Sequence, residues 1–195
     1  MCKLVCPNNA IELKENKVAQ IIEEKIKNDS ILIKADMEIG ADGSGRLISE
    51  LIRKSKKYNE IKIVDGSPGI GCPVIATLTD TNVCILVSEP TMSGLNDLER
   101  IYKLSLNFNL KLFICINKYN INQDITNQIE KYCDDNSIEI IGKIPYDDTV
   151  LKSISNIKPI VLYKNSKAGL EIINISKKLI KYIERMMLNE NSNSK

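Results

Sequence analysis

Two continuous apolar runs, VCILV at 83–87 and LFICI at 112–116, most constrain how this chain can fold. A strand wetted on one face alternates apolar and polar side chains. Five apolar residues in a row call for cover on both faces, which a parallel sheet between helices provides. The connecting segment SGLNDLERIY carries Leu95, Leu98, Ile101 and Tyr102 at helical spacing, the stripe of a crossover helix. EIKIVD at 60–65 reads as a preceding strand and IEIIGKI at 138–144 as a following one, with a helix from about Asp124 to Cys133 that uses Ile125, Ile129 and Tyr132. The order β, α, β, α, β is that of an α/β fold with a mostly parallel sheet. A last helix, from about Lys167 to Leu188, has Ile172, Ile173, Ser176, Leu179, Ile180 and Ile183 as its stripe, and the polar tail NENSNSK at 189–195 is expected to fray.

The N-terminal part reads differently. VAQIIEEKI and ILIKADM flank the polar KNDS, which predicts a hairpin within 17–37 and a tip near Asn28 and Asp29. The glycine-rich IGADGSG follows, then RLISELIRKSKKY, a helix with Leu47, Ile48, Leu51 and Ile52 on one side. The only candidate boundary lies near residue 40. This divides the chain into 1–40, an α/β part at 41–188 and the tail at 189–195.

Composition narrows the function classes. A net charge of +2, from 27 basic and 25 acidic residues spread along the chain, gives no electrostatic footprint for nucleic acid or an acidic membrane. No window has the long uncharged apolar run of a membrane span, and MCKLVCPNNA lacks the apolar core of a secretion signal, so a cytoplasmic location is expected. The absence of histidine excludes imidazole zinc sites and histidine-based triads. Six cysteines in a reducing compartment argue for buried thiols, metal ligands or redox chemistry rather than disulfides. Cys84, Cys115 and Cys133 fall on apolar strands or an apolar helix face and read as core thiols. Cys72 sits at an expected helix start, where a reactive role stands beside simple packing.

Ligands of open parallel sheets bind beyond the carboxyl ends of the strands. Those positions hold DGSPGIG, SEPTMSG, INKYN and IPYDD. Asp65 is placed to hold a water on Mg²⁺, while Gly66 and Gly69 let the backbone approach a phosphate oxygen. Taken alone, that fragment reads more simply as a turn, and the three downstream motifs tip the balance. Asn117 and Lys118 follow a strand as base-reading residues do, the amide for a purine edge and the lysine stem for the ring. An asparagine in a β-to-α turn serves equally well as a plain turn residue. Asn120 disfavours guanine, because an amide lacks the two acceptor oxygens that a carboxylate would offer, and adenine fits better. Cys2 and Cys6, in CKLVCP, have the spacing of the last two ligands of the ferredoxin run Cys-x-x-Cys-x-x-Cys-x-x-x-Cys-Pro, but two thiolates cannot complete a [4Fe–4S] set.

Together, DGSPGIGCPVIA, SEPTMSGLNDLER, CINKYN and GKIPYDD, behind CPNNAIEL, resemble the MinD/ParA-type (Mrp-like) P-loop ATPases that carry an inserted ferredoxin domain. The resemblance implies a doubly wound sheet binding ATP with Mg²⁺, a [4Fe–4S] cluster in the insert, and a hairpin that is the tail of that insert. It matches Asp65 to the Walker B acid and Mg²⁺ site, and Gly66, Pro68 and Gly69 to the phosphate-sensing bend. Asn117, Lys118, Pro145, Tyr146 and Asp147 match the adenine pocket, and Cys2 and Cys6 an incomplete cluster set. Partners implied are a second copy, a homologous subunit carrying the P-loop, or iron–sulfur redox proteins. The family's first strand and its Lys-Gly-Gly-x-Gly-Lys-Thr loop find no match, since Gly142-Lys143 runs on into Ile144. The chain is therefore expected to be the C-terminal part of a longer or split protein, with hydrolysis impaired by itself.

Overall fold

The computed structural model describes the chain except residues 1, 9, 13, 15, 16, 42, 59, 194 and 195, together with the side chains of 2 and 190–193. Two compact units are formed, Met1–Asp80 and Thr81–Lys195.

In the second unit β3 (Val83–Ser88), β4 (Lys111–Asn117) and β5 (Glu139–Ile144) form a parallel sheet in the order β3-β4-β5. The two apolar runs are its core. Ile114 and Ile116 point to one face, where α4 (Met92–Ser105) and α5 (Gln123–Asp135) lay down Leu95, Leu98, Ile125, Ile129 and Cys133. Phe113 and Cys115 point to the other, against α7 (Lys167–Asn193) through Ile175, Leu179 and Tyr182. Helices on both faces make the sheet doubly wound, as the runs required. Thr91 caps α4 by accepting from Gly94 N at 2.9 Å, and Asn122 caps α5 by accepting from Ile125 N at 3.1 Å. Burial raises the thiols of Cys115 and Cys133 to about 11, so both remain protonated core groups, and it raises that of Cys84 as well.

The stripe expected on α7 is met in part: Leu179 packs on the sheet and Ile172, Ile173 and Ile183 are half-buried, whereas Ser176 and Ile180 are exposed and Ile175, outside the expected set, is buried. Gly142 explains the burial of Ile175. A Cβ there would lie 2.4 Å from Ile175 Cγ1, so the missing side chain on β5 opens the hole that Ile175 fills. The β4–β5 register slips between Ile114 and Cys115, which puts Ile141 with Phe113 and Cys115 on the α7 face.

The first unit opens with α1 (Cys2–Val5) and then the hairpin, β1 (Ala19–Lys25) against β2 (Ile31–Met37), in a register running from Ala19↔Met37 to Lys25↔Ile31. Its tip falls where expected, with Asn28 and Asp29 both at positive φ. Beyond it lie α2 (Ser44–Ser55), α3 (Cys72–Thr79) and, between α3 and the tip of α2, the segment expected to be a strand. That expectation is corrected. Residues 61–67 belong to no ladder, and Ile61 and Ile63 are 59% and 95% exposed rather than buried. The resemblance puts a Walker A strand beside this segment, and the 195 residues contain no such sequence. A strand without a neighbour has nowhere to place its amides and carbonyls but water.

Candidate functional site

In the second unit the parallel sheet brings the ends of three strands to one rim. Glu89 leaves β3, Asn117 ends β4, and Pro145 follows β5. The chain turns sharply after β4 because Lys118 takes the left-handed conformation, φ 54°, before the short turn of helix Tyr119–Ile121. The turn folds the polar side chains toward one another. Lys118 Nζ lies 2.8 Å from Glu89 Oε1, and Asn117 Nδ2 donates to the same oxygen at 3.3 Å. From the far side, Asn120 Oδ1 accepts the Tyr146 backbone N–H at 2.6 Å. Asn117, Lys118 and Tyr146 are thus gathered as a group, through Asn120, which the sequence marks as disfavouring guanine, and through Glu89, to which the motifs assigned no site role. Glu89 stands inside SEPTMSG, and the available signal was its place: a charged side chain at the tip of a buried parallel strand.

Tyr146 is half exposed, and the hydrogen bond from its hydroxyl to Asp148, with the charge of that carboxylate behind it, raises the phenol above its ordinary range. Asp147 turns the other way. Its carboxylate accepts from Ser166 Oγ at 2.7 Å, from Thr149 N at 2.8 Å and from Ala168 N at 3.2 Å. These bonds, the one from Ser166 first, hold its carboxyl well below the usual carboxylate range. The carboxylate ties the starts of α6 (Thr149–Ser155) and α7 together, so what Asp147 offers the rim is the position of the loop that carries Tyr146.

The other predicted residues belong to the first unit. Asp65, Gly66, Pro68 and Gly69 are all exposed, and the Asp65 carboxylate makes no hydrogen bond or ion pair among the described residues. Gly69 has φ +88°, with nothing within 4 Å of a Cβ placed there. Its glycine therefore serves backbone conformation and open access rather than close packing. An unpaired carboxylate beside an unobstructed glycine bend is a donor set that suits Mg²⁺ and a phosphate oxygen. The bend leads into α3, where Cys72 is exposed.

For an iron–sulfur cluster the fit fails. Cys6 is described and half-buried, the Cys2 side chain lies outside the described residues, and no three His, Cys, Asp or Glu gather as metal ligands among those described. A cluster needs four thiolates.

The uncharacterized protein MJ0578 of Methanocaldococcus jannaschii is 34% identical over 153 residues, covering 78% of this chain and 51% of that protein. The uncharacterized ATP-binding protein MJ0823 of the same organism is 31% identical over 175 residues, covering 85% and 66%. Among solved structures, the septum site-determining protein MinD of Pyrococcus horikoshii, complexed with Mg-ADP, matches at a TM-score of 0.58 and 18% identity, covering 71% of this chain and 58% of that one. The fold is that of the MinD-type P-loop NTPases. No protein-family model matches the chain. The chain spans between half and two thirds of the length of these relatives, and no helix among its described residues is long and apolar enough to cross a membrane.

Proposed function

We propose that this chain is the nucleotide-binding, C-terminal portion of a MinD-type ATPase, with Asn117, Lys118 and the Pro145–Asp147 loop serving an adenine base. The observation that carries the reading is the rim itself, where Glu89, Asn117, Lys118, Asn120 and Tyr146 join three strand ends at the place where parallel α/β sheets bind ligands. A homologue described as ATP-binding and a MinD solved with Mg-ADP support the choice of ligand. In this reading Asp65 holds Mg²⁺ through water and is the one catalytic group, while Gly66, Pro68 and Gly69 admit the phosphates. Bound Mg²⁺ would neutralise phosphate charge; the chain's own residues orient the base and leave the phosphate bend open. Residues 1–40 are then the remnant of an insert, 41–188 the nucleotide-binding part and 189–195 a tail, in a cytoplasmic protein. Iron–sulfur association would require thiolates beyond Cys2 and Cys6.

Phosphoryl transfer in such ATPases rests on the lysines and threonine of the Lys-Gly-Gly-x-Gly-Lys-Thr loop, which has no match in these 195 residues, so weak Mg-ATP binding without turnover is expected of the purified chain. Titration calorimetry with Mg-ATP and a steady-state phosphate-release assay check both. No heat of binding up to millimolar ATP overturns the nucleotide reading, and turnover like that of a MinD overturns the impaired-hydrolysis reading.

A second reading has its own observation. In the second unit β3 is an edge strand, with backbone groups outside any ladder among the described residues, the surface a partner strand would use. In this reading the chain is a non-catalytic subunit docking on a homologue that carries the P-loop. Light scattering after size exclusion, with and without that homologue, should show a one-to-one complex; two separate peaks remove this reading.

A further inference from the structure

In the second unit α6 is turned inside out. The residue it buries is Ser153, whose hydroxyl donates to Lys158 O at 2.7 Å, while Leu151 and Ile154, neighbours on its outward face, are 63% and 68% exposed. Ile157, three positions further on, is 95% exposed. One apolar side chain in water is ordinary, but three at helical spacing form a stripe. The third is also strained. Ile157 has φ 48°, in the left-handed region. Its N–H donates to Ile154 O at 3.0 Å and the Lys158 N–H donates to Ser153 O at 3.0 Å, which closes the helix in the pattern that glycine ordinarily completes. A β-branched residue is an outlier in that conformation, and an isoleucine left in solvent recovers none of the strain through packing.

The charge around the stripe indicates what would cover it. Residues 149–170 hold Lys152, Lys158, Lys164 and Lys167 and no acid. The segment after α6 runs back along the helix. Tyr163 Oη donates to Lys152 O at 3.4 Å and accepts from Asn156 Nδ2 at 3.2 Å, and Ser166 and Ala168 bind Asp147 just before the helix start. Elsewhere in this unit Lys111, Lys118 and Lys143 each have a carboxylate partner, whereas none of these four has one among the described residues. A second copy laying the same stripe against this one would set lysines against lysines. A lipid surface draws its affinity from buried apolar area, of which a helix of seven residues offers little. We infer that α6 and the Ile157 turn form a docking surface for an acidic amphipathic helix of a partner protein, with Leu151, Ile154 and Ile157 as apolar contacts and the lysines as a charged border. The inference is independent of the nucleotide reading and uses neither the strand-end rim nor the β3 edge.

The test titrates the full ¹⁵N-labelled chain with a synthetic helix of leucine and glutamate, its leucines at i, i+3, i+4 and i+7. Backbone amides within 150–158 should shift, and the same helix with lysine in place of glutamate should bind about tenfold more weakly or worse. Leu151→Ser combined with Ile154→Ser should lower the affinity for the acidic helix about tenfold, and Ile157→Gly about threefold. Ile157→Gly gives a second readout, because relief of the left-handed strain should raise the urea midpoint while binding falls. No shift within 150–158 up to millimolar acidic helix, equal affinity for the basic helix, or a lowered urea midpoint in Ile157→Gly overturns the proposal. Binding to phosphatidylglycerol vesicles that the double serine variant abolishes also overturns it and assigns the stripe to a lipid surface. A dimer in light scattering that the same variant dissociates overturns it in favour of a second copy.

Discussion

The Thr81–Lys195 unit buries Leu98, Phe113, Ile114, Ile116 and Ile129 to 2% exposure or less, while the Met1–Asp80 unit buries only Val74 and Leu78 among its described apolar side chains. Local order does not separate them. α2 is as clearly amphipathic as α5, and the hairpin holds seven residue pairs in register. What differs is a layer with two faces. β4 receives α4 and α5 on one side and α7 on the other, whereas Leu47, Ile48, Leu51 and Ile52 of α2 remain only half-buried. A correct stripe stabilises a fold only when a second apolar surface meets it.

The largest test of that contrast is a pair of isoleucine truncations. Ile114→Ala, at a position with no exposure, should cost about 3 kcal/mol through lost burial and the cavity left behind. Ile63→Ala, at 95% exposure, should stay within about 0.5 kcal/mol. Urea unfolding followed by far-ultraviolet dichroism reads both units, and tyrosine near-ultraviolet dichroism singles out the second, which holds six of the seven tyrosines in a chain without tryptophan. Equal costs would mean that Ile63 packs in solution and that the contrast between the units is not real. Next come the glycines. Gly142→Ala forces a methyl to 2.4 Å from Ile175 Cγ1 in a packed layer and should cost about 2 kcal/mol. Gly43→Ala meets no atom within 4 Å and bears only the strain of φ +101°, about 1 kcal/mol, so a larger loss at Gly43 would reverse the ranking.

Much of the second unit was legible, because VCILV and LFICI can be satisfied in few ways and the helices between them carry clear stripes. The strand-end motifs located the rim for the same reason: a parallel sheet fixes where its carboxyl ends go. Periodicity could not give the phase of α7, since Ile173 and Ile175 are equally apolar and the hole at Gly142 decides between them. EIKIVD reads as a strand residue by residue, but a ladder is a property of two segments, and no described segment pairs with residues 61–67. Asp147 marks the limit at the site. IPYDD placed an acid at a strand end, yet only the fold shows that the carboxylate turns back to Ser166, twenty positions along the chain from Tyr146, and not outward.

That acid and Asp65 make the finest comparison between the units. Asp147 accepts three hydrogen bonds and joins two helix starts, whereas the Asp65 carboxylate accepts none among the described residues. Asp147→Ala removes the hydrogen bonds to both helix starts and should cost about 1 kcal/mol at neutral pH. Asp65→Ala should leave stability unchanged, its expected effect confined to Mg²⁺-dependent binding. The pH dependence follows from the depressed carboxyl of folded Asp147. In the unfolded chain the group titrates near its ordinary value, about 3.9, so the unfolded state takes up a proton first as pH falls. The stabilisation is therefore complete above that value and is lost progressively as pH falls below it toward the folded-state value. Between pH 6 and pH 3, Asp147→Ala should flatten the fall in the urea midpoint while Asp65→Ala reproduces the wild-type slope. Parallel slopes for all three proteins would show that the Asp147 carboxylate is not held by Ser166, Thr149 and Ala168 in solution, and would return it to the rim as a group free to meet a ligand.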